Sequence, residues 1–149
     1  MKAKRNTLSL KFSSNPVNIM IAKCAIGKFA EMANPTIESL NDIMTAVGEA
    51  VSNAVTYAYP DSKGGDIHVR AVLYEDNTLE IMVRDKGIGI SDIEKARSPL
   101  FTSCKGDYHA GLGFTVMECF MDSISVRSNP DSKEGTTVVL KKKLETKEI

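Results

Sequence analysis

The sequence predicts an α+β domain, with helices layered on one face of a mixed, mostly antiparallel sheet. Three observations carry this. Leu40, Ile43, Val47, Ala50, Ala54 and Ala58 form one apolar stripe at helical spacing. Ile67–Tyr74 and Leu79–Arg84 each alternate apolar and polar residues across a short polar turn, which is hairpin patterning. Helical and strand patterns are segregated along the chain more than alternated.

Thr7-Leu8-Ser9-Leu10-Lys11-Phe12 alternates and reads as a first strand. Asn15-Pro16 starts a helix, because Pro is tolerated in the first turn. Its apolar positions are Ile19, Ala22, Ala25, Ile26 and Phe29. Asn34-Pro35-Thr36 breaks that helix, and a second runs from about Thr36 to Tyr57. Pro60 to Gly65 is a turn. After the hairpin come a short helix near Ser91 to Ala96 and an irregular polar stretch from Ser98 to Ala110. Gly113 to Met121 reads as helix, then Ile124–Val126 and Thr137–Leu140 as strands. The sheet face away from the helices carries Val72, Tyr74 and Met82, apolar enough for a self-association surface.

With 149 residues, the chain fits a single domain spanning 1–149 and has length enough for a real core. Its formal net charge of zero argues against broad binding of DNA or RNA, which needs a basic face. The basic residues near Lys2 and Lys141 read as solvated charge. Cys24, Cys104 and Cys119 contain no Cys-Xaa-Xaa-Cys, so no zinc or redox signal appears. Cys24 and Cys119 fall in helical patterns and read as buried small apolar groups. No apolar run approaches the ~20 residues of a membrane span. The start of the chain lacks a signal segment. The expectation is a cytoplasmic protein with reduced thiols.

The chemistry concentrates in three short runs. Glu49 and Asn53 are four apart on a helix and project to one side of it. An amide oxygen is a hard ligand suited to Mg²⁺. A Glu one turn away is placed to take a proton from an attacking hydroxyl or to orient a water. The bland alternative is the polar flank of an amphipathic helix. Asp85 opens Asp85-Lys86-Gly87-Ile88-Gly89-Ile90, where its carboxylate can accept from an exocyclic amine such as that of adenine. Gly87 and Gly89 remove side chains where a flat base must approach the backbone; a plain turn is again the bland alternative. Gly111 and Gly113 precede an apolar helical run, and helix starts expose unpaired N–H groups suited to phosphate. Lys105 and His109 are the cationic candidates of the long loop before them. Gly135-Thr136-Thr137 either brings a hydroxyl near Asp85 or simply starts a strand. In this order the pieces compose an ATP site.

That order resembles the ATP-binding domain shared by gyrase, Hsp90, histidine kinases and MutL, the GHKL superfamily. Within it the chain is similar to the small bacterial anti-sigma serine kinases, most of all the sporulation anti-sigma F factors. The likeness runs almost end to end and rests on Glu49–Ala54, Val83–Ile90, Pro99-Leu100-Phe101-Thr102 and Gly111–Glu118. It implies the two-layer Bergerat fold. It implies Glu49 as catalytic base and Asn53 as Mg²⁺ ligand. It also implies Asp85, Gly87, Gly89 and Thr137 around adenine, and Thr102, Lys105, Gly111 and Gly113 toward the phosphates of ATP or ADP. Two partners are implied: a sigma F-type factor held away from RNA polymerase, and a small anti-anti-sigma protein phosphorylated on serine. The family is dimeric. Where the family carries an Arg in the first helix at a partner contact, this chain has Lys23. Where the family's lid carries an Arg before the glycine pair, it has His109-Ala110.

Two functions compete. One is a protein serine kinase that also sequesters a sigma factor. The other is a nucleotide-sensing switch that exchanges partners without transferring phosphate. A sensor histidine kinase would need a phospho-accepting His on a dimerising helix, and neither His68 nor His109 falls in a helical pattern. A gyrase- or MutL-type machine would need a second domain.

Overall fold

The computed structural model describes residues 2–60, 64–90, 93, 109–129 and 134–147, with backbone alone for 109–112 and 129. The elements run β1 (Lys4–Ser13), α1 (Val17–Ala30), a 3-10 turn (Glu31–Ala33), α2 (Ile37–Tyr57), β2 (Asp66–Tyr74), β3 (Thr78–Asp85), α3 (His109–Phe120), β4 (Ser123–Asn129) and β5 (Gly135–Lys143). The five strands form one sheet in the order β1-β2-β3-β5-β4. All four pairings are antiparallel, so the mixed sheet expected from the sequence is replaced by a purely antiparallel one among the described residues.

The helices cover one sheet face. Thr36 caps α2, its Oγ1 accepting from Ser39 N–H at 3.1 Å. The stripe on α2 is buried at Ile43, Val47, Ala50, Ala54 and Ala58. α2 packs between α1 and α3 and rests on β2, β3 and β5. From below, Ile67, Val69, Ala71 and Leu73 of β2 and Leu79, Ile81 and Val83 of β3 close the core. Ile67, Val69 and Ala71 lie directly opposite Phe12, Leu10 and Leu8 of β1. The turn before α2 is tied to the far end of the chain: Thr36 N–H donates to Glu145 O at 2.8 Å and Lys147 N–H to Asn34 O at 2.9 Å.

Three expectations change. α3 starts at His109, ahead of Gly113, so His109 does open a helix. Phe114 and Met117 are buried against the helix layer, and that packing outweighs the poor helix propensity of two glycines. Cys24 and Cys119 are exposed, not buried. α1 buries Ala22, Ile26 and Phe29, which leaves Cys24 on its solvent side with Met20 and Ile21. On the outer sheet face Val72 is buried, and the large exposed apolar side chains lie elsewhere, chiefly on α1 and at the start of α2: Val17, Met20, Ile21 and Ile37. The short helix expected over 91–96 lies outside the described residues except for Ile93.

Candidate nucleotide site

Asp85 closes β3 on the helix-facing side, in step with Ile81 and Val83. It is buried to 6% exposure. Its partners are backbone N–H groups: Gly87 N–H donates to Oδ1 at 2.9 Å and Thr136 N–H at 3.2 Å. Burial pushes the carboxyl above the ordinary 3.8, and the two N–H donors oppose that rise. A desolvated carboxylate held by uncharged donors retains an acceptor edge for a further N–H.

The turn after Asp85 is fastened to the end of α2. Ile88 N–H donates to Ala58 O at 2.9 Å. A Cβ on Gly87 would run into that same Ala58 carbonyl oxygen, so only glycine allows the approach. Gly89 has φ of 77°, in the left-handed region. Tyr59 adds a second fastening: its hydroxyl accepts from Lys86 N–H at 2.8 Å and donates to Asp66 O at 2.7 Å. Ile90 N–H donates to Ser128 Oγ at 2.6 Å, and Ser128 Oγ lies 2.8 Å from Thr136 Oγ1. The turn is thereby held from α2, β2 and β4 at once.

Glu49 and Asn53 meet α3. A Cβ on Gly113 would lie 3.1 Å from both Asn53 Nδ2 and Glu49 Oε2. The absent side chain leaves the α3 backbone facing the carboxylate and the amide together. Asn53 Nδ2 is buried without a hydrogen-bond partner. A buried amide left open in a native fold calls for a ligand or another explanation. Gly111 falls in the first turn of α3, where N–H groups lack intrahelical acceptors. Among the described residues no cluster of three His, Cys, Asp or Glu side chains forms a metal cage. A hard cation such as Mg²⁺ does not require one, because it binds through one or two protein oxygens plus substrate phosphates. Asn53 Oδ1, with Glu49 beside it, fits that donor pattern.

Glu49 and Asn53 are thus brought together at Gly113 between α2 and α3, and Asp85, Gly87 and Gly89 at the turn that closes β3. Thr137 joins neither: it stands opposite Arg84 and Arg127 in the sheet register, while its neighbour Thr136 shares the buried face with Val138 and Leu140. The threonine beside Asp85 is Thr136. Lys23 of α1 lays its stem across α2 at Gly48, where a Cβ would sit 2.8 Å from Lys23 Cδ, one residue from Glu49. Thr102 and Lys105 lie outside the described residues, as does the side chain of His109. Tyr59 and Ser128 carry no signal in the sequence, and within Gly135-Thr136-Thr137 the sequence reading favours Thr137. For Thr136 the signal was available: alternation with Val138 and Leu140 puts it on the core face.

Residues 12–142 match the histidine kinase-like ATPase domain family. Over 142 residues the chain is 44% identical to the anti-sigma F factor of Pasteuria penetrans, covering 95% of this chain and 93% of that one. Over 140 residues it is 39% identical to the anti-sigma F factor of Priestia megaterium, covering 94% of each. This chain belongs to the anti-sigma F factor family. The fold agrees with a solved structure of the RsbU and RsbW domains of a Mycobacterium tuberculosis protein. That match has a TM-score of 0.68 at 18% identity and covers 96% of this chain and 35% of the other. Family membership gives these residues their context: the buried Asp85, the open Asn53 and the close-packed Gly113 all fall within the matched ATPase domain. No helix among the described residues is long and apolar enough to cross a membrane.

Proposed function

We propose that this chain is an ATP-dependent protein serine kinase that also binds a sigma F-type factor. Its kinase substrate in this reading is a small anti-anti-sigma protein. The observation that carries the reading is the meeting of Glu49, the unpartnered Asn53 amide and the side-chain-free Gly113 at one point. Asp85 accepts the exocyclic amine of adenine, and Gly87 and Gly89 let the ring lie against backbone. Thr136 supports Asp85 through its N–H. Gly111 contributes free N–H toward phosphate. Asn53 holds Mg²⁺, which neutralises charge developing on the phosphates. Glu49 takes the proton of the incoming serine hydroxyl, a contribution of about 10²–10⁴ in rate.

The partner surface in this reading is α1. Val17, Met20 and Ile21 expose apolar area there, and Lys23 lies between that surface and Glu49. A protein docked on α1 would deliver a serine near the base. Homodimerisation and a cytoplasmic setting belong to the same reading, through the family resemblance.

The test is transfer from labelled ATP to the small partner. Labelled phosphoserine that disappears in Glu49→Ala, with Mg-ADP binding intact, supports the kinase. The switch without transfer is favoured by one sequence feature, His109-Ala110 in place of a lid arginine. Nucleotide-dependent partner binding with no label on serine would establish it instead.

A further inference from the structure

We infer that the opposite sheet face carries a second anion site, suited to a phosphate group and separate from the nucleotide site. Arg84, Thr137 and Arg127 stand in one cross-strand row over β3, β5 and β4. Adjacent antiparallel Cα atoms are about 5 Å apart, so the two arginines flank Thr137 at about 10 Å. Both side chains are long enough to converge above the threonine hydroxyl. With Lys86 they line a cleft of about 750 Å³ that wraps the β4 edge, where Val126 and Ser128 line it from the helix-facing side. Among the described residues Glu134 is the one acidic member of that lining.

Three features mark the cleft as a site and not ordinary surface charge. The chain has zero formal net charge, yet among the described residues this cleft gathers Arg84, Lys86 and Arg127 against Glu134. None of the three cations forms an ion pair among the described residues. Arg84 Nε is buried with no hydrogen-bond partner. The row continues to His68, directly opposite Arg84 on β2. Basic groups set directly across a sheet are unfavourable unless an anion relieves them. Guanidinium forks match the oxygens of a phosphate, and a flanking hydroxyl completes the set.

The site is independent of the nucleotide reading. Arg84 and Asp85 are successive residues on a strand and point to opposite faces. The two sites touch at Gly135, which lines the cleft and abuts Asp85, and at Ser128, which lines it and bonds Thr136, whose N–H bonds Asp85.

The experiment is a titration of the full ¹⁵N-labelled chain with inorganic phosphate, at ionic strength held constant with chloride, with and without saturating Mg-ADP. Saturable shifts are expected at the amides of Arg84, Thr137 and Arg127 and at Arg84 Nε–H, the same with and without nucleotide. Arg127→Gln, at an exposed edge-strand position, should weaken phosphate about tenfold while the fold is retained. Arg84→Gln should do the same. Shifts that stay linear, shifts that centre on Gly111–Gly113 and vanish with Mg-ADP, or affinities unchanged in both variants would each overturn the site. Saturation by a poly-glutamate peptide but not by phosphate would overturn the phosphate assignment. Failure of Mg-ADP to bind would count against the proposed kinase and leave the phosphate arm readable.

Discussion

Thr136 N–H donates to Asp85 Oδ1 at 3.2 Å, joining residues 51 apart in sequence. The bond is made on the helix-facing side of the sheet, where the last residue of β3 meets the second residue of β5. Gly135 makes the approach possible: its φ is 71°, and a Cβ there would lie 2.7 Å from Asp85 Oδ1. The carboxylate is therefore fixed by backbone alone. The oxygen that makes neither of those bonds stays available to a ligand.

Asp85→Asn separates these two roles. The amide keeps an oxygen for the Gly87 and Thr136 donors but turns the ligand edge from acceptor to donor. Folding stability should change by no more than about 1 kcal/mol in urea unfolding, since a desolvated charge is removed as one acceptor is weakened. Mg-ADP affinity should fall by about 2 kcal/mol, roughly thirtyfold, in calorimetric titration. Undiminished affinity would remove Asp85 from the adenine contact.

Acidification should act on Asp85 and Asp76 in opposite senses. Asp85 has its folded carboxyl raised above 3.8 by burial, so the folded state holds a proton more tightly than the unfolded chain does. Its contribution to stability is greatest below the unfolded value and declines as pH rises from there through the raised value. Nucleotide binding needs the charged acceptor, so affinity should begin to drop at a higher pH than an unperturbed Asp would dictate as acid is added. Asp76 is lowered to about 2, first by its hydrogen bonds to Thr78 and then by Lys2. The stability it contributes is present above 3.8 and is lost as pH falls through about 2. Carbon-detected NMR of the two carboxyl resonances checks both signs.

Gly113→Ala should decouple stability from ligand binding. Alanine in a helix is favoured over glycine by about 1 kcal/mol, so thermal unfolding should be unchanged or raised. The new methyl meets Asn53 Nδ2 and Glu49 Oε2 at 3.1 Å, tighter than ordinary contact. Those side chains must give by a few tenths of an ångström, and Mg-dependent nucleotide affinity should fall by about tenfold. An alanine variant with wild-type affinity would show that the site tolerates displacement of both groups.

Much of this was legible because it is local. The stripe from Leu40 to Ala58 dictates α2, and Thr36 is a cap residue followed three positions later by the N–H that it accepts. Glu49 and Asn53 are neighbours on any helix, whatever surrounds it. The β2–β3 hairpin follows from alternation across a turn in which Asn77 takes φ of 66°. What escaped depends on pairing between distant segments. Nothing near Asp85 says that β5 will lie beside β3 in a register that puts Thr136 against it. The choice between Thr136 and Thr137 is a choice of sheet face, readable from Val138 and Leu140 only once β5 is extended back to Gly135. Cys24 looked buried because α1 is apolar nearly all round, and only packing on α2 shows which side faces solvent.

Tyr59 tests whether the turn must be fastened from outside. Its hydroxyl bridges Lys86 N–H and Asp66 O, linking the end of α2 to both β2 and the start of the turn. Partial burial raises its pKa above 10.0, so it remains a neutral donor and acceptor through the physiological range. Tyr59→Phe keeps the ring against Gly65 and removes only the bridge. Each hydrogen bond contributes about 1 kcal/mol net, and both groups regain water, so unfolding free energy should drop by about 1–2 kcal/mol. The larger effect should be on the site. Lys86 follows Asp85 directly and precedes Gly87, so a loosened Lys86 amide frees the segment that positions the adenine contact. Hydrogen exchange at Gly87 and Ile88 should speed up, with Mg-ADP affinity reduced about fivefold and the amides of Ile43 to Val51 unaffected. Equal acceleration throughout α2 would mean that Tyr59 supports the whole helix layer and not the turn.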